Sequence, residues 1–324
     1  MQIGYTLMTE EHGPVELVEI ARQSEALGFD FLAQSDHFHP WVPEQQHSPN
    51  AWALMGAVAA STSTIGLQTF VTCPILRYHP AIVAQQAATV ALLSGNRFTV
   101  SVGAGERLNE HVVGRGWPPA DVRHLMLREA LDIITMLWTG GYHSYHGSYF
   151  DLEDARLFDL PDQPIPLAMA VSGRRSLQIA IEFADQLIAT TPEPELIAAF
   201  RASNGDDAHA TTQIGASYGS DADKALEVAH RQFRWSALGW KVQAELPNPV
   251  NFDAAAKFVR PEDLAETIPH GPDVDGYVSA VKASADAGFD RVAFVQVGDD
   301  QQSFLEFWDA ELRDALNSEG LFGV

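Results

Sequence analysis

Residues 30–41 read Asp-Phe-Leu-Ala-Gln-Ser-Asp-His-Phe-His-Pro-Trp, an apolar run that leads directly into an acid, two histidines, a proline and a tryptophan. Residues 98–111 read Phe-Thr-Val-Ser-Val-Gly-Ala-Gly-Glu-Arg-Leu-Asn-Glu-His, a second strand-like run that ends in Gly-x-Gly and a carboxylate. Strand ends are rigid and the loops after them vary freely, so catalytic groups collect there. The two segments therefore predict an enzyme whose site lies at the carboxyl ends of its strands.

Strand-like and helix-like runs alternate along the whole chain, which is the pattern of a parallel sheet covered by helices. The predicted strands span residues 3–7, 29–34, 65–69, 98–103, 165–170, 186–189, 211–216 and 291–297. The predicted helices include residues 14–27, 81–93, 123–137, 176–183, 221–233 and 274–287. Pro14 and Pro80 mark two helix starts, and Gly28 and Gly288 follow two helix ends. This alternation predicts the α/β class and a (β/α)8 TIM barrel.

Two stretches interrupt the alternation and are too long for simple barrel loops. Residues 140–164 contain Gly140, Gly141 and several aromatic side chains, and residues 236–272 are rich in proline. We expect both to be insertions that cap the C-terminal mouth of the barrel. No Ser/Gly-rich or highly charged linker divides the chain, so residues 1–324 are predicted to form one domain.

Composition narrows the possible partners and compartments. The chain has 324 residues, is 46% hydrophobic and contains one cysteine, so it can bury a large core without disulfides. It carries neither a signal-like N-terminus nor an apolar run of about 18 residues, so we expect a cytoplasmic protein with no membrane contact. The net charge of -23 repels phosphate backbones, which argues against nucleic-acid binding.

His37, Asp36 and Trp41 follow the first strand-like run. An imidazole at His37 is a candidate base for a substrate hydroxyl, and the alternative is a residue that caps the strand or satisfies a buried carbonyl. The Asp36 side chain points away from that of His37 if the strand geometry continues, so Asp36 is a candidate to bind a hydroxyl or a ring edge of a cofactor. Trp41 is a candidate wall for a flat ligand, or a plain packing residue.

Glu106 follows Gly103, Ala104 and Gly105, which are small enough to let a ligand approach the backbone. This Gly-x-Gly lacks the third glycine, the immediate helix and the acidic partner of a dinucleotide fingerprint, so no Rossmann site is predicted. Arg174 and its neighbour Arg175 open a predicted helix, where they form either an anion cradle or a solvated helix cap.

Metal and nucleophile chemistry are disfavoured. The chain has 12 histidines, but none has the His-Glu-x-x-His or Cys/His spacing of a metal site, so no metal is predicted. No Gly-x-Ser-x-Gly elbow is present, and Cys73 has no obvious base in the sequence. We expect Cys73 to be a small core residue.

Taken together, several motifs resemble the luciferase-like oxidoreductases, and within them the branch of the deazaflavin-dependent glucose-6-phosphate dehydrogenases, which use coenzyme F420. The resemblance covers almost the whole chain. The motifs that carry it are residues 35–41, Arg77-Tyr-His-Pro-Ala81, residues 103–111, Trp117-Pro-Pro119 and Gly288-Phe-Asp290.

The resemblance implies a (β/α)8 barrel with F420 in its C-terminal mouth. It implies that Asp36 binds the cofactor, that His37 is the base and that Glu106 is an acid near N1 of the ring. Trp41 would steady the substrate, and Thr69-Phe70 matches the place of a non-proline cis peptide behind the ring. The positions that match the lining of the ring and its phosphate-bearing tail are Thr69, Phe70, Thr72, Ala104, Gly105, Asn109, Ala170, Val171, Ser172, Gly173 and Arg174.

The substrate end departs from this family pattern. Two lysines and an arginine hold the sugar phosphate in the glucose-6-phosphate enzymes, but here one lysine position falls on Glu193. The other lysine corresponds at best to Lys241, and the arginine falls near Glu266 or Thr267. We therefore expect a secondary alcohol or related carbonyl compound as the small-molecule substrate, and not glucose 6-phosphate.

Two alternatives stay open from the sequence. The first is an FMN-dependent luciferase-like monooxygenase or reductase, and the second is a non-catalytic barrel that only binds the cofactor. A homodimer is expected because members of the family are commonly dimers.

Overall fold

Eight short apolar segments form parallel strands that close into a barrel, because the first strand pairs with both the second and the last. The computed structural model describes residues 1–323. The barrel strands are β1 (Gln2–Leu7), β2 (Phe31–Gln34), β3 (Gly66–Thr69), β4 (Phe98–Val102), β7 (Leu167–Ala170), β8 (Gln186–Ile188), β9 (His209–Ala216) and β10 (Arg291–Gln296), and a separate hairpin contains β5 (His143–His146) and β6 (Asp151–Ala155). The predicted TIM barrel is confirmed.

Helices connect the strands, and most of them cover the outside of the barrel. They are α1 (Pro14–Ala26), α2 (Ala51–Ser61), α3 (Pro80–Leu93), α4 (Arg107–Glu110), α5 (Ala120–Trp138), α6 (Arg174–Phe183), α7 (Pro194–Asn204), α8 (Ala222–Phe233), α9 (Trp240–Gln243), α10 (Pro249–Ala256), α11 (Pro261–Ala265), α12 (Val274–Asp286), α13 (Gln301–Phe307) and α14 (Arg313–Ser318). Across residues 1–323, none of the helices combines the length and the apolar character that a membrane crossing requires.

The barrel interior is narrow and is filled by a few side chains. Phe31 packs there with small partners such as Ala33, Ala168 and Ala293. Gly4 on the neighbouring strand makes this possible, because a Cβ at that position would lie 2.6 Å from the Phe31 ring. The larger aliphatic side chains of the strands point outward and pack against the helices, where most of the apolar core lies.

The first predicted insertion lies on the flank of the barrel. It forms the β5–β6 hairpin in the connection from α5 to β7, and such a connection returns the chain to the amino-terminal end of the next strand. The hairpin packs on α5, where the Glu129 carboxylate accepts N–H bonds from Tyr149 and Phe150 at 2.8 and 3.1 Å. This placement differs from the expected position over the mouth.

The second insertion does lie at the mouth and is longer than expected. It leaves the barrel after β9 and returns where His270 forms a parallel bridge with Ser217. Helices α8 to α11 therefore belong to this cap, and α12 is the helix that leads back to β10. The sequence pattern assigned residues 221–233 to the barrel because an amphipathic helix looks the same in a cap as in a barrel wall.

Glu25 fixes the turn that leads into β3. Its Oε1 accepts N–H bonds from Ser63, Thr64 and Ile65 at 2.8, 2.6 and 3.0 Å. Burial raises the pKa of this carboxyl, but the N–H donors outweigh burial and bring the pKa down to about 2. The ionised form therefore stabilises the folded protein.

Replacing Glu25→Gln should lower the free energy of unfolding by about 1 kcal/mol at neutral pH. The folded-state pKa lies below the unfolded value of about 4.3, so the stabilisation is complete above that value and is lost as the pH falls toward 2. Urea unfolding at a series of pH values should show the wild-type advantage shrinking with acidification. The exposed Glu153→Gln is the control, and an equal effect of both substitutions would contradict the account.

Candidate active site

His37 lies between two carboxylates that come from different strand ends. It follows β2, and its Nδ1 is 3.0 Å from Oε1 of Glu10, which follows β1. Its Nε2 is 3.5 Å from Oε1 of Glu106, which follows β4. The contact with Glu10 has an ion-pair distance but not the alignment of a hydrogen bond. One imidazole thus has a buried carboxylate on one side and a partly exposed one on the other.

Glu10 is held in place by hydroxyl groups. Ser35 donates to its Oε1 at 2.8 Å and Thr9 donates to its Oε2 at 3.2 Å. These bonds turn the carboxylate toward Nδ1 of His37. Glu10 was not predicted from the sequence. A signal existed, since Glu10 stands in a polar run that follows β1 just as His37 follows β2.

The Asp36 carboxylate is buried and is bonded on both oxygens. Thr72 donates to Oδ2 at 2.8 Å, while Arg77 and Tyr78 donate to Oδ1 at 2.9 and 3.2 Å. Arg77 also donates to the Asp36 carbonyl oxygen at 2.6 Å. Asp36 therefore anchors the strand end that carries His37, and a cofactor contact from this residue stays a prediction.

Asn109 joins the two strand ends. Its Oδ1 accepts N–H bonds from Phe38 and His39 at 2.7 and 3.1 Å, and its Nδ2 donates to Oε1 of Glu106 at 2.5 Å. The side chain is buried. Asn109 was predicted to line the cofactor, and in the structure it orients Glu106 relative to the His37 loop.

Arg77 and Glu110 form a buried pair beneath this region. The Glu110 carboxylate accepts the Arg77 backbone N–H at 3.0 Å and its Nε–H at 3.3 Å. Burial raises the pKa of Glu110 to about 7, although Arg77 opposes the rise. Burial lowers the pKa of Arg77, but the carboxylates of Asp36 and Glu110 outweigh it and raise that pKa above its usual value. The motif around Arg77 was noticed in the sequence, but this contact was not predicted.

Aromatic side chains form one wall of the site. Trp41 meets the His37 ring edge-on at a centroid distance of 4.7 Å, and it stacks on Trp235 of the cap at 4.0 Å. Phe252 of α10 meets Trp41 edge-on at a centroid distance of 5.2 Å. Trp235 is buried, and its Nε1 has no hydrogen-bond partner among residues 1–323. Trp235 was not predicted from the sequence, since nothing local shows which part of the cap reaches the mouth.

Small residues line another part of the mouth, at the ends of β3, β4 and β7. A Cβ on Gly103 would lie 2.9 Å from Cγ2 of Val71 and 3.4 Å from Cβ of Ala170, whereas a Cβ on Gly173 would meet nothing within 4 Å. Ala104, Gly105 and Ala170 are partly exposed there. Larger side chains on this floor would fill the space that a flat ring needs. The open space at Gly173 leaves room for a tail attached to such a ring.

The non-proline cis peptide lies one residue later than expected. It joins Phe70 to Val71, whereas the sequence analysis placed it at Thr69-Phe70. The reason is that the pairing with β2 extends one residue past Thr69, because the Phe70 N–H still donates to the Gln34 carbonyl oxygen at 2.7 Å. The break in the strand therefore begins after Phe70, and the partly exposed residue is Val71.

The predicted tail-binding residues surround the start of α6. Val171 is buried, Gly173 precedes the helix, and Ser172 and Arg174 are exposed. The Ser172 N–H donates to Oγ of Ser176 at 3.1 Å, which bends the loop toward the helix. The Ser172 and Arg174 side chains and the N-terminus of α6 lie at the same end of the barrel as Glu106.

The residues at the predicted phosphate positions do not form a cationic cluster. Glu193 is exposed before α7, and Lys241 is exposed on α9 of the cap. Arg234 is buried against Glu44 and Asp253, at 2.9 and 2.7 Å. In the part of the chain that the structure describes, no group of three or more His, Cys, Asp or Glu side chains is arranged to hold a metal ion.

Comparison with known proteins gives the same family as the sequence motifs. Residues 1–291 match the family model described as luciferase-like monooxygenase. The chain is 31% identical over 330 residues to the F420-dependent glucose-6-phosphate dehydrogenase of Microbacterium testaceum, covering 98% of this chain and 97% of the relative. It is 35% identical over 338 residues to the protein of the same name from Tsukamurella paurometabola, covering 99% of each.

Solved structures add a close likeness in three dimensions. An F420-dependent secondary alcohol dehydrogenase in complex with an F420-acetone adduct superposes with a TM-score of 0.87 at 30% identity, covering 95% of this chain and 97% of that chain. The predicted resemblance is thereby confirmed. The protein belongs to the luciferase-like oxidoreductases, in the branch of F420-dependent enzymes.

Proposed function

We propose that the protein is a dehydrogenase or reductase that moves a hydride between a secondary alcohol, or a related carbonyl compound, and C5 of the F420 ring. The observation that carries the proposal is the position of His37 between Glu10 and Glu106, beside an aromatic wall at the mouth of the barrel. A barrel that only stored the cofactor would need no such group.

His37 is the proposed base in the direction of alcohol oxidation. Its Nε2 takes the proton of the substrate hydroxyl, and Glu10 at Nδ1 stabilises the imidazolium that results. Glu106 is the proposed acid beside the ring, and Asn109 holds it in place. Bound F420 supplies a two-electron acceptor or donor at C5 of its ring. The chain itself supplies proton handling and orientation.

The small-residue side of the mouth is the proposed cofactor surface. Ala104, Gly105 and Ala170 would lie against the ring, and the start of α6 with Ser172, Gly173 and Arg174 would hold the phosphate-bearing tail. Thr69, Phe70, Thr72, Val171 and Asp36 complete the proposed set. Because Thr72 and Asp36 already bond to each other at 2.8 Å, we propose that they shape this surface from behind.

The neutralised arginines and the aromatic wall both favour an apolar substrate. Arg234 is already neutralised by two carboxylates, and Arg260 pairs with Asp263 at 2.6 Å. A phosphate dianion needs several fixed cations, and these arginines are not free to serve it. Trp41 instead offers apolar surface beside His37, and Trp235 stacks behind it.

The first test concerns proton transfer. His37→Ala should lower kcat about a hundredfold or more while F420 binds with nearly unchanged affinity, because a general base is removed and the cofactor surface is left intact. Glu106→Gln should also slow turnover. Stopped-flow absorbance and fluorescence titration measure the two effects. The exposed His146→Ala is the control, and wild-type rates in both site variants would refute the assigned roles.

The second test concerns the substrate. Steady-state reduction of F420 should proceed with simple secondary alcohols and should be negligible with glucose 6-phosphate. Trp235→Ala should raise KM for the alcohols about tenfold, because Trp41 loses the ring that stacks behind it, and Trp235→Phe should retain most of the affinity. Efficient turnover of the sugar phosphate would contradict the substrate proposal, and binding of FMN with no binding of F420 would contradict the cofactor proposal.

A homodimer through α2 and α3 completes the proposal. Neither helix contains a charged residue, although the chain carries a net charge of -23. Ile82 and Leu93 of α3 are about half exposed, and Ala53 and Ala57 of α2 are exposed. Two copies can meet through this charge-free face without like-charge repulsion, whereas most other faces of so acidic a chain would repel each other.

The dimer can be tested by light scattering on a size-exclusion column. Wild type should elute with the mass of two chains at micromolar concentration, and Leu93→Glu should yield single chains because it places charge in the apolar face. Phe158→Glu is the matched control, since Phe158 is an exposed apolar residue outside α2 and α3. Single chains in the wild type would overturn the proposal.

A further inference from the structure

Arg77 is bonded to both of the segments that carry the proposed reacting groups. Its Nη2 donates to the carbonyl oxygen and Oδ1 of Asp36, at 2.6 and 2.9 Å. Its Nε donates to Oε1 of Glu110 at 3.3 Å, and its backbone N–H donates to Oε2 of the same carboxylate at 3.0 Å. The side chain is only 9% exposed. One guanidinium therefore links the end of β2 to helix α4.

These two partners stand next to the proposed reacting groups in the chain. Asp36 directly precedes His37. Glu110 lies one helical turn after Glu106, and its backbone N–H donates to the Glu106 carbonyl oxygen at 3.3 Å. A shift of either segment would thus change the separation of 3.5 Å between Nε2 of His37 and Oε1 of Glu106.

We propose that Arg77 is a positioning residue that sets the His37–Glu106 geometry by clamping Asp36 on one side and Glu110 on the other. The kinetic consequence of this role rests on the proposed function. Arginine suits this task because its planar fork can bond two carboxylates at once, whereas a lysine ammonium is a compact point charge without that fork. Arg77→Lys should therefore keep the charge and lose the clamp.

Arg97 provides a matched control at the opposite end of the barrel. Its guanidinium donates to the carbonyl oxygens of Ser94, Ile65, Ala59 and Thr62, between 2.5 and 3.2 Å. It is thus at least as fully bonded as Arg77, but it precedes β4 and lies far from the strand ends that carry the site. Arg97→Lys should lower the melting temperature and leave kcat unchanged.

The kinetic test compares the two lysine variants, with folding checked by circular dichroism. Arg77→Lys should lower kcat at least tenfold and change KM less than threefold, because alignment is lost and binding surface is kept. Added guanidinium ion should restore part of the rate of Arg77→Ala, and methylammonium should not. If Arg77→Lys fails to fold, Glu110→Gln takes its place and should lower kcat about threefold or more. Wild-type kcat in the folded variant would overturn the proposal.

A second readout needs neither cofactor nor substrate. In protein with 15N-labelled histidine, the His37 ring signals, assigned with His37→Gln, should move in Arg77→Lys and stay in place in Arg97→Lys. Unmoved signals in Arg77→Lys would overturn the clamp even if kcat falls. Absence of F420 turnover in the wild type would refute the proposed function, and the histidine signals would then still decide the role of Arg77.

Discussion

Closure of the parallel barrel is the constraint on which the site depends. Every strand of the closed barrel runs in the same direction, so the segments after β1, β2, β3 and β4 meet at one rim. Glu10, His37, Arg77 and Glu106 come from these four segments and are far apart in the chain. The packing that closes the barrel, with Phe31 seated against Gly4, therefore also determines which side chains can meet.

The rim gathers more acids than a folded protein usually buries. Glu10, Glu11, Asp36 and Glu110 are all buried there. Burial raises the pKa of Glu11 to about 8, although the Gly298 N–H and the Gln45 side chain oppose the rise. Buried carboxylates are costly unless they are paired or hydrogen-bonded, and here hydroxyl groups, N–H groups and one arginine stabilise them. Active sites use such concentrations of buried acids to shift pKa values, so this rim supports the proposed role in proton transfer.

Much of the fold was predictable because the barrel has a local signature, the alternation of short apolar runs with amphipathic helices. His37 and Glu106 were predictable for the same reason, since each follows such a run directly. Arg77 and Trp235 were not assigned a role, because their importance lies in contacts with distant segments that no periodicity encodes. The flank position of the β5–β6 hairpin and the exact position of the cis peptide likewise depend on tertiary contacts, the latter on the bond from the Phe70 N–H to the Gln34 carbonyl oxygen.

Isotope transfer tests the central claim most directly. The protein is mixed with oxidised F420 and with a secondary alcohol such as 2-propanol that carries deuterium on its carbinol carbon, and the reduced cofactor is analysed by mass spectrometry and NMR. The account predicts one deuterium at C5 of the ring and a slower rate than with the unlabelled alcohol. Reduced F420 without deuterium at C5, or no reduction of F420 by the alcohol, would contradict it.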